Sequence, residues 1–421
     1  MPDNKIAPAP PEGTTEVELS AFESNGFGGL LGEGITTVTF FRGDLQNAAT
    51  FLRERLAQVA AANPWIFGNI VKEKQHGKRC ALRFSTQPPA VTDDVFSVRR
   101  FVLSEDTEYG AFVKMVAASG AKIPSGRKLL NKPLPVCKLT LCPKTASADG
   151  GFALIFSISH VVCNGGTYYQ LLNMLSADGT VVAMNPTRDE ALQDKVYEYM
   201  GRKEYAFMSG AANMCNALRK IVFGKNPKAY CFLVDDAKLS EAKAAAKAQP
   251  DAPDRISAND VLTSAYGKVC QSKLLIMACD FKGRIEGTSA TDAAQYHAAL
   301  LLDSDGYDSP ATIRKALSGP PPLSRAALPT FWKAQGSKLG LITSWAALKS
   351  LTIPSCELSM HTPCEQTSGM VVKAQDDTCI VFNPKPGKLA MLCMSTKLST
   401  DELMAALPFE GPLNPFMWEH V

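Results

Sequence analysis

Gly150-Gly-Phe-Ala-Leu-Ile-Phe-Ser-Ile-Ser-His160-Val-Val-Cys-Asn164-Gly165-Gly166 is the stretch that decides the fold. An apolar run from Phe152 to Ile158 stops at a histidine. Four residues later stand Asn164 and two glycines. Tyr168, Leu171, Leu172 and Leu175 then recur at the spacing of a helix face. The pattern predicts a buried strand, a short turn carrying His160, and a helix starting near Gly165. A neutral imidazole, with an ordinary pKa of about 6.5, accepts a proton near neutral pH. A histidine on such a turn is therefore a candidate general base. The glycines allow a tight turn and close approach of the backbone to a ligand.

Similar patterns extend on both sides. A β-branched and aromatic run predicts a first strand over 34–41. Asp44 can cap a helix to about Asn63, with Ala48, Leu52, Leu56, Val59 and Ala60 as its apolar face. Strands follow at 81–84 and 95–102, a helix at 107–118, and a strand at 135–141 that pairs with 152–158. A helical pattern over 203–222 is interrupted by Gly210, and we read 186–228 as a crossover between two halves. Beyond it come a strand at 229–234, a helix at 239–248 and a capping box at Ser257-Ala-Asn-Asp260. Apolar strands at 274–281, 339–342, 378–382 and 389–394 complete a mixed α/β half. The expected organisation is a disordered tail over 1–13, an N-terminal domain over 14–185, the crossover, and a C-terminal domain over 229–421.

The 421 residues exceed one ordinary core and suit two domains. A hydrophobic fraction of 46% with 20% charged residues is that of a globular chain. The net charge of +3 implies neither nucleic acid nor a membrane as partner. No apolar run approaches the ~18 residues of a bilayer span. The first residues lack the pattern of a signal peptide, so the expected compartment is the cytoplasm. The twelve cysteines include no Cys-x-x-Cys pair and read as free, mostly buried thiols. No zinc-ligand spacing joins the five histidines, and no metal is expected. The glycines at 26, 28, 29 and 32 precede the first strand and lack dinucleotide-loop spacing. Cys163 reads as a small buried spacer, and His361 and His420 read as surface residues.

The motif His160-Val-Val-Cys-Asn164-Gly165 resembles the His-x-x-x-Asp-Gly signature of the chloramphenicol acetyltransferase-like superfamily. That group includes the BAHD acyltransferases and the condensation domains of peptide synthetases. Further segments resemble the family in the right order. They are Pro64-Trp65-Ile-Phe-Gly68, Ser257-Ala-Asn-Asp260-Val-Leu, Asp280-Phe-Lys-Gly-Arg284, and Thr343-Ser344-Trp345. The resemblance spans about residues 15–405 and implies two similar mixed-sheet α/β domains with an active-site channel between them. It departs at Asn164, where the family has Asp, and at 356–363, which replaces the Asp-Phe-Gly-Trp-Gly segment of the plant enzymes. Ser159 stands where condensation domains usually have a second histidine.

The resemblance implies an acyl-CoA-dependent O- or N-acyltransferase of secondary metabolism, active as a monomer. Acyl-CoA is the cosubstrate, a small alcohol or amine is the acceptor, and no cofactor is tightly bound. His160 would be the base, and Thr343 or Trp345 would supply an oxyanion donor. Asn164, Gly165, Asp280 and Arg284 would shape the motif, with Arg284 holding Asn164. His297 would face the channel. Two alternatives remain open at this point: a free-standing condensation enzyme using a carrier-protein thioester, and a binding protein of the same fold with a decayed site.

Overall fold

All seven residues of the strand Phe152–Ile158 are buried, so this strand must be covered on both faces. Each large apolar side chain removed from water there contributes about 1.5–3 kcal/mol. In the computed structural model, which describes residues 12–24, 29–144, 150–250, 252–318, 326–366 and 369–413, it lies at the centre of a five-stranded sheet. The strands are β1 Thr14–Glu18, β2 Ile35–Arg42, β3 Asn69–Val71, β4 Ala81–Ser85, β5 Phe96–Val98, β6 Cys137–Pro143, β7 Phe152–Ile158 and β8 Lys228–Val234. They continue with β9 Leu274–Asp280, β10 His297–Leu302, β11 Leu339–Ser344, β12 Glu357–Pro363, β13 Asp377–Phe382, β14 Ala390–Ser395 and β15 Phe409–Pro412. The residues of the expected tail up to 11, the glycines at 26 and 28, the proline run 320–322 and His420 lie outside the described residues.

The first sheet has the order β12-β2-β7-β6-β5, and a small sheet β1-β4-β3 accompanies it. β7 pairs antiparallel with both β2 and β6. The expected helix forms as Leu45–Ala62, with Asp44 accepting from the Asn47 N–H at 2.7 Å. It buries Ala48, Leu52, Leu56, Val59 and Ala60.

The second sheet, β10-β9-β11-β13-β14-β8-β15, has seven strands. β9, β11 and β13 run parallel, and the remaining pairs are antiparallel. Period-2 alternation divides it between two cores. Ile380, Phe382, Leu392 and Met394 join the core of the first sheet, whereas Cys379, Val381, Met391 and Cys393 face a second core. That second core includes Leu262 and Tyr266 from the helix Ala258–Cys270, which Ser257 and Asp260 cap reciprocally. The crossover is itself helical, as Glu190–Met200, Arg202–Ser209 and Ala211–Phe223.

One strand departs from the expected division. β12 comes from the region assigned to the C-terminal domain, yet it pairs antiparallel with β2 at the edge of the first sheet. It carries His361, which is not a surface residue but fully buried. Its Nδ1 meets the Thr39 hydroxyl at 2.8 Å and its Nε2 meets the Tyr169 hydroxyl at 3.0 Å. Burial pushes its pKa down to about 3.

This depression has a sign for stability. The unfolded chain takes up a proton on His361 near pH 6.5, and the folded chain does not until about pH 3. Stability is therefore lost as pH falls through that window. His361→Leu removes this loss and leaves two buried hydroxyls without the ring, at roughly 1–3 kcal/mol each. Melting curves should show a lower Tm at pH 7 and a shallower decline toward acid than wild type. A steeper decline would contradict a neutral buried imidazole.

Candidate active site

β7 ends at Ile158, and the next residue anchors the turn, with the Ser159 N–H donating to the Val136 carbonyl at 2.7 Å. Val161, Val162 and Cys163 are fully buried, while His160 stays partly exposed. Asn164 then caps the helix Gly165–Met174 by accepting from the Thr167 N–H at 3.0 Å. The turn is short because a strand of one sheet must feed a helix that packs back on the same core.

That helix has two working faces. Tyr168, Leu171 and Leu172 are buried in the first core. On another face the side chains of Thr167, Gln170 and Asn173, three residues apart, donate to the carbonyls of Ala293, Ala290 and Ala347 at 3.4, 2.8 and 3.0 Å. These carbonyls belong to the second half, so the helix is bonded across the division.

The second sheet presents one end to this turn. β9 ends at Asp280, β10 begins opposite it with His297, and β11, parallel to β9, ends with Thr343 and Ser344. The His297 ring lies 6.1 Å from the His160 ring between centroids, and Phe22 packs edge-on against it at 5.4 Å. The Nδ1 atoms of both histidines are buried without a partner on another residue. Gln295 donates its amide to the His160 carbonyl. Trp345 is buried, and its indole stands where a Cβ on Gly165 would lie 3.8–3.9 Å away. Thr343 is partly buried and lies next to the last residue of β11.

Burial pushes the His160 pKa below its ordinary value, opposed by its own carbonyl, the Glu23 charge and Gln295. Burial and the neighbouring His160 push His297 down to about 3. Both rings are therefore neutral bases at pH 7. Burial raises the Cys163 thiol to about 12, so it is protonated there and is no nucleophile.

The expected contact between Asn164 and Arg284 does not form. Arg284 is exposed. The strand stops at Asp280, a turn brings the Arg284 N–H to the Phe281 carbonyl, and Gly283 sits at φ +69°. The period-2 spacing that would put residues 280, 282 and 284 on one face thus ends with the strand. Lys282 is the buried cation. Its Nζ donates to the Thr167 hydroxyl at 2.6 Å and pairs with Asp280 Oδ2 at 3.7 Å. Gly166 permits this approach, because a Cβ there would collide with the Asp280 carboxylate. The Asn164 Nδ2 is buried and unpartnered.

A second ion pair supports the turn from behind, and the sequence did not point to it. Arg188 Nε donates to both Glu23 oxygens at 3.1 and 3.2 Å, and its Nη2 donates to the Val162 carbonyl at 2.8 Å. The Glu23 side chain is fully buried and that of Arg188 is 3% exposed. Neither residue sits in a motif, and 165 positions separate them. All twelve cysteines are free. Among the described residues no cluster of three or more His, Cys, Asp or Glu could hold a metal, and no helix is long and apolar enough to cross a membrane.

Compared with family profiles and with curated protein sequences, the chain gives no match. Solved structures do match. TRI101 of F. graminearum, in complex with coenzyme A and T-2 mycotoxin, aligns over 93% of this chain and 97% of its own, with 13% identity and a TM-score of 0.58. Vinorine synthase aligns over 95% and 94%, with 12% identity and a TM-score of 0.57. The first condensation domain of the CDA synthetase aligns over 89% and 88%, with 12% identity and a TM-score of 0.52. The fold is the chloramphenicol acetyltransferase-like fold.

Two predictions concern the supports of the turn. Removing one partner of a buried ion pair leaves the other uncompensated and costs roughly 3–5 kcal/mol. Denaturation of Arg188→Ala and Glu23→Ala should each show a loss of that order, with the double variant losing less than the sum. Additive losses would mean that the pair does not act as a unit. Asn164→Asp should lower Tm, since the new carboxylate would stand beside Asp280 with the single charge of Lys282 already matched. A variant more stable than wild type would reveal an unmet positive charge at the motif.

Proposed function

We propose that the chain is an acyltransferase that moves an acyl group from acyl-CoA to an alcohol or amine, with His160 as general base. The observation that carries this reading is a neutral imidazole on a partly exposed residue just after β7, close to the end of the second sheet. Because Nδ1 is buried, Nε2 is the atom left to meet a substrate. The acceptor oxygen or nitrogen attacks the thioester carbonyl while its proton passes to His160 Nε2. The tetrahedral oxyanion accepts a hydrogen bond from the Thr343 hydroxyl or the Trp345 indole N–H. Collapse expels the coenzyme A thiolate, which takes the acceptor's proton from the imidazolium. No covalent acyl-enzyme is required.

The solved relatives of the same fold support the donor. TRI101 was crystallised with coenzyme A and with small-molecule partners, T-2 mycotoxin and deoxynivalenol. We extend this to a cytoplasmic monomer of secondary metabolism that binds acyl-CoA as cosubstrate, binds a small-molecule acceptor and holds no tight cofactor. Ser159 in place of the preceding histidine favours this over a condensation enzyme.

His160→Ala should lower turnover by about 10²–10⁴ with Tm and coenzyme A binding retained. Thr343→Val or Trp345→Phe should cost on the order of 10²–10³ in turnover with little change in donor affinity. Because burial depresses the His160 pKa, the acid limb of kcat/KM should fall below about pH 6.5 and disappear in His160→Ala. Coenzyme A should raise the Tm. Activity of His160→Ala near wild type would remove the base. No shift with coenzyme A, together with complex formation by an acyl-loaded carrier protein, would assign a condensation enzyme. No response to either would assign a binding protein.

A further inference from the structure

The helix Ala211–Phe223 is turned inside out. Its inward positions include the polar residues Asn216 and Lys220, both buried. They hold a neighbouring segment by its backbone. Asn216 Oδ1 accepts from the Gly336 N–H at 3.1 Å, and Lys220 Nζ donates to the Ser337 carbonyl at 2.9 Å. Lys220 also pairs with Asp376. The outward positions Cys215, Leu218 and Val222 form an apolar stripe at helical spacing. Leu218 is 49% exposed, Val222 64% and Phe223 83%. The segment pinned beside the helix adds Trp332 at 82% and Phe331 at 42%. A helix normally buries such a stripe and exposes its amides and amines.

Basic residues outnumber acidic ones around this face. The stretches 211–225, 331–338 and 370–375 contain Arg219, Lys220, Lys225, Lys333, Lys338 and Lys373 and no aspartate or glutamate. Lys220 and Lys338 are matched by Asp376 and Asp377. Arg219, Lys225 and Lys333 are exposed. The adjoining helix Arg202–Ser209 contributes Arg202 and Lys203 against Glu204, with Arg202 paired to Glu198. The small net charge of the whole chain conceals this concentration.

We propose that this face docks on an anionic lipid bilayer. Exposed tryptophan, phenylalanine and valine enter the interfacial layer while the basic rim meets lipid phosphates and carboxylates. Charge decides against a second copy of the chain, since a twofold pairing would set like-charged rims against each other. The face lies at the start of β11, and the candidate active-site residues lie at its other end, so docking uses none of them. The surface stands independently of the acyl-transfer reading. It adds a peripheral contact where the overall composition suggested no membrane partner.

Sedimentation of the full chain with vesicles tests this, using phosphatidylcholine alone and phosphatidylcholine mixed with phosphatidylserine. Wild type should co-sediment with the anionic vesicles, and less so at raised ionic strength. Phe223→Ser with Trp332→Ser, and separately Lys225→Glu with Lys333→Glu, should each weaken partitioning by about tenfold or more. Their Tm should be unchanged. No binding to anionic vesicles, or equal binding by both variants, would overturn the proposal. A wild-type dimer in sedimentation equilibrium that these variants dissociate would assign the face to a second copy and overturn it. A fall in Tm would assign the face to the chain's own packing and would overturn it as well.

Discussion

The side chains of Thr167, Gln170 and Asn173 hydrogen-bond backbone carbonyls of the second half, while Tyr168, Leu171 and Leu172 of the same helix pack in the first core. This double attachment fixes where His160 stands. A helix held by apolar contacts alone could slide, because burial is nearly non-directional. Three directed bonds at helical spacing set its register against the second sheet. Gly166 and the Asp280 carboxylate set the distance at the helix start. Lys282 and Asp280 thus hold the start of the helix that follows the His160 turn, and Arg188, paired with Glu23, holds the turn itself at the Val162 carbonyl.

The same arrangement sets the chemistry. Burial lowers the pKa of both histidines, and His160 adds to the depression at His297. Buried charge nearby is matched in the Glu23–Arg188 and Asp280–Lys282 pairs. These pairs cost desolvation and give direction. They cannot slip without stranding a charge, whereas packed leucines can adjust. A neutral base in a rigid frame suits proton transfer from a weakly acidic acceptor.

The sequence made local features legible and distant ones not. β7, the His160 turn and the cap at Asn164 follow from a continuous apolar run, a 3.6-residue period and one side chain, all between Phe152 and Leu175. β12 escaped because its partner β2 is remote, with Thr39 and His361 separated by 322 positions. Nothing local distinguishes a buried histidine in an edge strand from an exposed one. The family resemblance implied Arg284 as the partner for Asn164, yet the strand ends at Asp280 and the turn at Gly283 carries the arginine outward. The helical pattern around 211–223 was readable, but periodicity does not tell which face points in. There the polar side chains point in because they bond the backbone at Gly336 and Ser337.

The central claim is that the space between His160 and the end of the second sheet receives the thioester. A crystal structure with coenzyme A tests it most directly. The account predicts the thiol sulfur within hydrogen-bond reach of His160 Nε2, between the ends of β7 and β11. Coenzyme A bound with its sulfur remote from His160 would contradict it.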